Sequence, residues 1–301
     1  MPINVPKSLP ARPILEKENV FLMETDRATS QDIRPLRILI LNLMPDKERT
    51  EKQLLRLLSN SPLQVSVDFI YTETYEAKNV QKSHLEKFYQ TFSEIKDQRY
   101  DGLIITGAPV EHFEFEEVDY WEELATIIDW SKTHVTSTLS ICWGAQAVLY
   151  HQYGITKSMR DQKISGIFSH DLINPTHKLV RGLNDHFYAP HSRYTDTDYA
   201  SVKENEQLSI LDASEKAGPL LIASNDEKNV MITGHIEYDA DTLAREYQRD
   251  LAKGLNIQMP SNYFPDNDQN NSPKNIWRSQ AYLIFSNWLN YFVYQETPFQ
   301  W

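Results

Sequence analysis

The stretch TLSICWGAQAVLY, residues 138–150, contains the only cysteine of the chain. A run of apolar and small residues, typical of a buried strand, leads to Cys142, and a series of helix formers begins at Trp143. A sharp strand-to-helix turn of this kind lies at the carboxyl end of a sheet, and the N-terminus of the helix that follows it favours a thiolate. The pattern predicts an α/β fold and leaves two alternatives for Cys142, a nucleophile or an inert core cysteine.

The five residues SICWG, 140–144, correspond to the nucleophile-elbow pattern Gly-x-Ser-x-Gly. Cys142 stands in the place of the serine, and Ser140 replaces the first glycine but is still small enough for a tight turn. Because free cysteines are among the most buried residue types and are usually inert, the turn alone does not decide between the alternatives. A general base near the thiol is the additional requirement.

Short apolar segments alternate with amphipathic segments around this turn. The expected strands are residues 37–44, 63–71, 100–109 and 135–142, and the expected helices are residues 45–60, 119–132 and 143–153. The region 82–96 is predicted to be mostly helical, with Leu85, Phe88, Phe92 and Ile95 on one face. This alternation indicates a mostly parallel sheet covered by helices on both faces.

Beyond Gly154 the pattern changes to strands with short connections. Strands are expected at 163–168, 208–214 and 219–235, the last folded as a hairpin around 225–228, and they are followed by a helix at 239–254, a polar loop at 265–273 and a C-terminal helix at 276–294. We expect residues 1–35, which are rich in proline and mixed in charge, to form an arm lying on the body or on a partner subunit. Residues 36–301 are expected to form a single α/β domain.

Composition narrows the class of function. The 301 residues are 41% hydrophobic, which is ample for a sizeable core, and their formal net charge is -12, which disfavours nucleic acid and anionic membranes as partners. A single cysteine excludes an internal disulfide and a multi-cysteine zinc site, and no metal-ligand pattern stands out. No signal peptide or membrane span is visible, so we expect a cytoplasmic protein. Because no metal-ligand pattern stands out, we expect no metal cofactor.

His235 and Glu237, in MITGHIEYD, are the candidate base and its partner. They follow an apolar strand, and Gly234 allows close approach of the backbone. A carboxylate on one imidazole nitrogen would leave the other nitrogen for the thiol, which is the logic of a Cys-His-Glu triad. His191 is the alternative base.

These patterns resemble the class I glutamine amidotransferase superfamily, which implies a flavodoxin-like sheet. The longer segments resemble one branch, the homoserine O-acyltransferases of the homoserine transsuccinylase type. The segments that carry this resemblance are LRILILNLMPDKERTEKQLLRLLSNSPLQVSVDFIYTETY, YDGLIITGAPVEHFEFEEVDYWEEL, STLSICWGAQAVLYHQYGI, KISGIFSH, FYAPHSRYT, MITGHIEYDADTLAREYQRD and PKNIWRSQAYLIFSNWLNYFVYQ, which together span nearly the whole chain.

The resemblance implies a role for several individual residues. Cys142 would be the acyl-thioester nucleophile, His235 the general base and Glu237 its orienting acid. Lys163, Ser192 and Arg249 would contact the substrate, and a guanidinium suits the carboxylate of homoserine. Trp143, through its backbone N–H, and Lys47 are candidates for the oxyanion hole or the acyl pocket, and a second oxyanion donor is expected near residues 45–47 or 107–108.

Glu111 resembles the position that sets acyl specificity in this family, where glycine accompanies succinyl donors and glutamate accompanies acetyl donors. We therefore expect an acetyl-transferring member that uses acetyl-coenzyme A and L-homoserine in methionine biosynthesis, with acetyl-coenzyme A as co-substrate and no cofactor. A homodimer is implied by the family. The alternatives are homoserine O-succinyltransferase, a glutamine amidotransferase or related hydrolase with the same triad, and a non-enzymatic binding module with a buried, unreactive Cys142.

Overall fold

The computed structural model of the chain describes residues 3–6, 8–18, 22–23, 34–74 and 82–298. Its strands are β1 (Ile3–Asn4), β2 (Leu22–Met23), β3 (Leu36–Leu41), β4 (Val65–Ile70), β5 (Tyr89–Gln90), β6 (Tyr100–Ile105), β7 (Val135–Ile141), β8 (Lys157–Leu172), β9 (His186–Thr197), β10 (Leu208–Ile210), β11 (Asp212–Ala213), β12 (Leu221–Ser224) and β13 (Asn229–Ile232). Its α-helices are α1 (Arg12–Lys17), α2 (Lys47–Leu58), α3 (Lys82–Phe88), α4 (Phe92–Ile95), α5 (Trp121–His134), α6 (Trp143–Tyr153), α7 (Tyr199–Glu204), α8 (Thr242–Ala252) and α9 (Arg278–Asn287).

Ten of the described strands form one large sheet, in the order β10-β12-β13-β7-β6-β3-β4-β1-β2, with β5 paired to β4. The strands from β13 to β2 are parallel, while β12 and β10 continue the sheet antiparallel. Counted along the chain, the central strands β4-β3-β6-β7-β13 have the flavodoxin-like order 2-1-3-4-5. The predicted mostly parallel sheet and the hairpin of β12 and β13 are confirmed.

Helices cover both faces of this sheet because its central strands are apolar on both sides. In β3, Ile38 and Ile40 belong to one core, which includes apolar residues of α2 and α9. Leu39 and Leu41 belong to the other core, with apolar residues of α5 and α6. A period of two along a strand gives this division, so the unbroken apolar run at residues 38–41 matches a sheet buried on two faces.

A second sheet of three antiparallel strands, β11-β8-β9, differs from the sequence expectation. Strand β8 is much longer than the predicted strand at 163–168, with a register shift between Met159 and Ile164, and β9 was not predicted at all. The alternation of apolar and polar residues that marks a strand is missing from both segments. Strand β8 begins with a run of polar residues, and β9 contains Pro190 and several buried polar residues. The predicted strand at 208–214 divides, since β10 joins the large sheet and β11 joins the small one.

The predicted helix over 82–96 is interrupted. Its described residues form the short helices α3 and α4 with β5 between them, and Tyr89 pairs with Phe69 of β4. Pairing with the sheet outweighs the helical periodicity, because Tyr89 is buried and donates a hydrogen bond from its hydroxyl to Glu51 at 2.7 Å. The C-terminal helix is confirmed as α9, which continues as a π-helix from Trp288 to Tyr294.

The described part of residues 1–35 lies against the body. Strand β1 pairs with β4, and the side chains of Val5, Leu9 and Leu15 are buried in the core. Much of this segment, including 24–33, lies outside the described residues, and the division at residues 35 and 36 stays a prediction. None of the described helices is long and apolar enough to span a bilayer.

Candidate active site

Cys142 lies at the turn between β7 and α6, at the carboxyl edge of the parallel sheet. Its backbone has φ 50° and ψ -115°, a conformation that an L-residue adopts at a cost of about 1–3 kcal/mol. The turn is held because the Cys142 N–H donates to the carbonyl of Ile232 at 2.7 Å, and the Cys142 carbonyl accepts from Gln146. A Cβ on Gly144 would lie 2.5 Å from the Thr106 carbonyl oxygen, so the glycine of the SICWG pattern is required by close packing against β6.

His235 follows β13, which pairs directly with β7, so the two strand ends bring its imidazole to the thiol. Its Nδ1 is 2.7 Å from Oε1 of Glu237, and both side chains are buried. Burial lowers the pKa of His235, but the negative charges of Cys142 and Glu237 and hydrogen bonds to both raise it well above its usual value. The three predicted triad residues therefore meet in the order thiol, imidazole and carboxylate.

Gly107, in the loop after β6, packs against both Cys142 and His235. A Cβ on this glycine would lie 3.4 Å from Cβ of Cys142 and 3.5 Å from Cε1 of His235. The loop at 107–108 thus borders the space above the thiol. The backbone N–H of Trp143, as the first residue of α6, has no partner within its own helix and directly follows Cys142 in the chain.

A pocket of about 200 Å³ opens at the thiol. Its lining includes all three residues expected to contact substrate, the cysteine and histidine of the predicted triad, and the residue expected to set acyl specificity: Cys142, His235, Lys163, Ser192, Arg249 and Glu111. Residues that are far apart in the chain thus converge on one cavity. Lys47, by contrast, lines an adjoining groove that is described below.

Two carboxylates that the sequence analysis did not single out accept hydrogen bonds from the polar residues of the pocket. Asp250 accepts from Lys163 Nζ at 3.0 Å and from Arg249 Nε at 2.8 Å. Glu246 accepts from the Ser192 hydroxyl, while Lys163 Nζ is 3.7 Å away. The alternating positive and negative groups match a zwitterion, which needs a cation for its carboxylate and an anion for its ammonium group.

A signal for these carboxylates was present but weak. Glu246, Arg249 and Asp250 are spaced by three and four residues on α8, so they share one face of the helix that follows the strand leading to His235. Charges at this spacing are typical of a solvated helix surface, and only the tertiary contacts with Lys163 and Ser192 distinguish them.

Glu111 also lines this pocket. Its Oε2 accepts the backbone N–H of Tyr194 in β9 and is 3.4 Å from the Thr195 hydroxyl. Burial raises the pKa of Glu111, while the Tyr194 N–H and the nearby charges of His235 and Lys163 partly oppose that rise. The carboxylate is therefore held in place by β9, the strand that the sequence did not predict.

Lys47 is buried at the start of α2, and its Nζ donates to the carbonyl oxygen of Asn42. Burial lowers the pKa of Lys47 to about 8, although the charge of Glu51 acts in the opposite direction. A lysine with this pKa is partly deprotonated at a pH slightly above neutral.

His191, the alternative base, is fully buried next to Gly234. Its Nε2 is 3.0 Å from Nε2 of His170, and its Nδ1 is 2.8 Å from the guanidinium of Arg193. Burial and the charge of Arg193 lower the pKa of His191 well below its usual value. Both imidazole nitrogens are engaged by other side chains, so the geometry favours His235 as the base.

Known proteins resemble this chain along nearly its whole length. A family model described as homoserine O-succinyltransferase matches residues 2–299. The chain belongs to that family. Three relatives, each named homoserine O-acetyltransferase, are similar along their whole length. The protein from Lysinibacillus sphaericus is 60% identical, covering 100% of this chain and 97% of its own. Those from Geobacillus sp. strain WCH70 and Clostridium acetobutylicum are 58% and 56% identical, each covering 100% of both chains.

Solved structures resemble this homoserine O-succinyltransferase family member in fold. A glutamine amidotransferase from Thermotoga maritima has a TM-score of 0.55 at 14% identity, covering 87% of this chain and 99% of its own. A glutamine amidotransferase from Methylobacillus flagellatus has a TM-score of 0.55 at 11% identity, covering 86% and 95%. The predicted glutamine amidotransferase-like fold is confirmed, and the similarity shows the fold alone. Among the residues that the structure describes, no group of three or more His, Cys, Asp or Glu side chains is placed to hold a metal ion.

Proposed function

We propose that this protein is a homoserine O-acetyltransferase. It transfers the acetyl group of acetyl-coenzyme A to the hydroxyl of L-homoserine and releases O-acetyl-L-homoserine for methionine biosynthesis. The observation that carries the proposal is the buried Glu237–His235–Cys142 chain opening on a pocket that also contains Glu111. The names of relatives at 55–60% identity support the acetyl donor.

The first half-reaction forms a thioester on the protein. The Cys142 thiolate attacks the carbonyl carbon of the donor, and the charge on the carbonyl oxygen is stabilised by the N–H of Trp143 and by the loop at 107–108. Collapse of the tetrahedral intermediate breaks the bond to the coenzyme A sulfur, which leaves with a proton from His235. Glu237 stabilises the imidazolium that exists between these steps.

The second half-reaction transfers the acetyl group to homoserine. Arg249 and Lys163 face the α-carboxylate, and Glu246 receives the ammonium group, which fixes the hydroxyl near the thioester. His235 removes the hydroxyl proton as the oxygen attacks the thioester carbon. The Cys142 thiolate then leaves, and O-acetylhomoserine dissociates.

Intact-mass analysis tests the covalent scheme. Wild-type protein mixed with acetyl-coenzyme A alone should gain the mass of one acetyl group, and Cys142→Ala should gain none while keeping its fold. Steady-state kinetics should give parallel double-reciprocal lines. Donor turnover that strictly requires homoserine, with no trapped adduct, would contradict the covalent scheme and favour direct transfer.

Homoserine O-succinyltransferase is the alternative, because the family model carries that description. Glutaminase activity is the other outcome to test, since the neighbouring folds include glutamine amidotransferases. A thiol-release assay with homoserine and acetyl-, succinyl- or malonyl-coenzyme A, together with a glutaminase assay, separates the three. We expect rapid thiol release with acetyl-coenzyme A and poor release with succinyl-coenzyme A.

We also propose a homodimer and a cytoplasmic location. The family implies the homodimer, the sequence supports the location, and analytical ultracentrifugation at micromolar protein concentration measures the first directly. A single species at the mass of one chain would contradict the dimer.

A further inference from the structure

A groove of about 620 Å³ adjoins the pocket that contains Cys142. The two cavities share five lining residues, which are Met44, Pro45, Tyr238, Glu246 and Arg249. A molecule whose reactive end lies at the thiol can therefore continue into the groove past these residues.

The two cavities differ in volume and therefore in the size of the ligand that each can bind. The pocket at the thiol, about 200 Å³, suits a short acyl group and a small amino acid. Cavities that bury larger organic ligands measure about 300–1,000 Å³, a range that includes the groove and excludes the pocket. A donor that combines a short acyl group with a large carrier needs both.

The lining of the groove contains one more basic than acidic residue, in a chain of net charge -12. Its basic residues are Lys47, Arg49, Arg245 and Arg249, against the acidic residues Asp46, Glu48 and Glu246. Arg245 is 67% exposed at its side chain, and its Nε donates to Asp241 one helical turn away. Arg49 also pairs with Asp241, at 2.7 Å, so this carboxylate keeps a partner if Arg245 turns toward a ligand.

We propose that this groove binds the pantetheine and phosphate portions of the acyl donor, with Arg245 and Arg49 contacting the phosphates. The inference rests on the proposed function for the identity of the donor. Guanidinium groups are suited to phosphate because they donate two parallel hydrogen bonds to it. S-Acetylpantetheine lacks the phosphates and the nucleoside of the donor, so it keeps the pantetheine contacts and loses those to the arginines.

The kinetic test compares two donors on one enzyme. The ratio of kcat/KM for acetyl-coenzyme A to kcat/KM for S-acetylpantetheine should fall about tenfold in Arg245→Ala, the loss expected for one charge-assisted hydrogen bond. Arg181→Ala removes an exposed arginine that contacts Tyr291 outside the groove, and it should leave the ratio at the wild-type value. A ratio unchanged in Arg245→Ala would overturn the inference.

A binding assay separates the groove from the reaction itself. Calorimetry with coenzyme A and with pantetheine needs no turnover, so it tests the groove whichever acyl group the enzyme transfers. Arg245→Ala should weaken coenzyme A about tenfold relative to pantetheine, with circular dichroism showing an unchanged fold. Equal weakening of both ligands, or of neither, would place the phosphates elsewhere.

Discussion

The ring of Tyr238 lies flat against the imidazole of His235, with 4.1 Å between the centroids and 17° between the planes. The Tyr238 hydroxyl donates to Oε1 of Glu246 at 2.7 Å. One side chain thus packs against the proposed base and orients the carboxylate proposed to bind the substrate ammonium group.

Two substitutions at Tyr238 separate these contacts. Tyr238→Phe keeps the stacked ring and should mainly raise the KM for homoserine, because Glu246 loses a donor. Tyr238→Leu should also lower kcat about tenfold, since an aromatic pair contributes about 0.5–1.5 kcal/mol to the position of the imidazole. Steady-state kinetics of both variants measures the difference, and equal kcat values for them would show that the stacking does not position His235.

Removing the base should cost far more than removing its orienting acid. His235→Asn should lower kcat by about 10⁴-fold or more, while Glu237→Gln should cost less because glutamine still accepts a hydrogen bond from Nδ1. Single-turnover measurements of acetyl transfer provide the comparison, with Cys142→Ala as the inactive reference. Near wild-type turnover by His235→Asn would move the base to another residue.

The central sheet could be predicted because its strands are continuous apolar runs and its helices have one apolar face. Residues 100–105 and 135–141 are almost wholly apolar or small, and both are fully buried central strands. Strand β9 could not be predicted, since His191, Arg193 and Thr195 are polar residues buried by contacts made only in the folded chain. Tyr89 illustrates the same limit, because its pairing with β4 overrides a local helical pattern.

Some residues of the candidate site could likewise be predicted from the sequence, and others could not. Cys142, His235 and Glu237 occupy positions that a strand-to-helix turn and a strand end define locally, so the order of the sequence points to them. Glu246 is bonded to Ser192, which is 54 positions away in the chain. Its role depends on how α8 packs against β9, and that packing is not encoded in the periodicity of α8.

Glu246 provides a test of amino-acid recognition. If its carboxylate binds the ammonium group, Glu246→Gln should reduce the preference for homoserine over 4-hydroxybutyrate, which lacks that group. We expect the ratio of the two kcat/KM values to fall about 10- to 100-fold, the size of a hydrogen bond to a charged group. Glu206→Gln changes an exposed acid elsewhere and should leave the ratio unchanged. A preserved preference in Glu246→Gln would assign the ammonium group to another carboxylate.

Glu111 is expected to determine which acyl donor the protein uses. Its carboxylate is fixed by the Tyr194 N–H on the wall of the pocket that contains Cys142. The free carboxylate of a succinyl group about 4 Å away would be repelled by about 4 kcal/mol at an effective dielectric constant near 20, or roughly a thousandfold. Wild type should therefore use succinyl-coenzyme A poorly and acetyl-coenzyme A well.

Charge and volume at this position can be separated by two variants. Glu111→Gln removes the charge, keeps the size and still accepts from the Tyr194 N–H, whereas Glu111→Gly also opens space for a four-carbon acyl group. Both should raise the succinyl-to-acetyl ratio of kcat/KM, and Glu111→Gly should also weaken acetyl transfer, while Glu114→Gln, an exposed acid three positions on, should not.

The pH dependence of the same ratio tests whether the charge of Glu111 is the cause. Burial raises the pKa of Glu111, so its carboxylate takes up a proton at a higher pH than an exposed glutamate does. As the pH falls toward that raised pKa, repulsion of the succinyl carboxylate weakens and the succinyl-to-acetyl ratio of wild type should rise. Glu111→Gln has no charge to lose at this position, so its ratio should change less with pH than that of wild type. Parallel pH profiles for wild type and Glu111→Gln would mean that Glu111 selects the donor through its volume. A succinyl-to-acetyl ratio that stays at the wild-type value in both Glu111→Gln and Glu111→Gly would show that Glu111 has no part in donor selection.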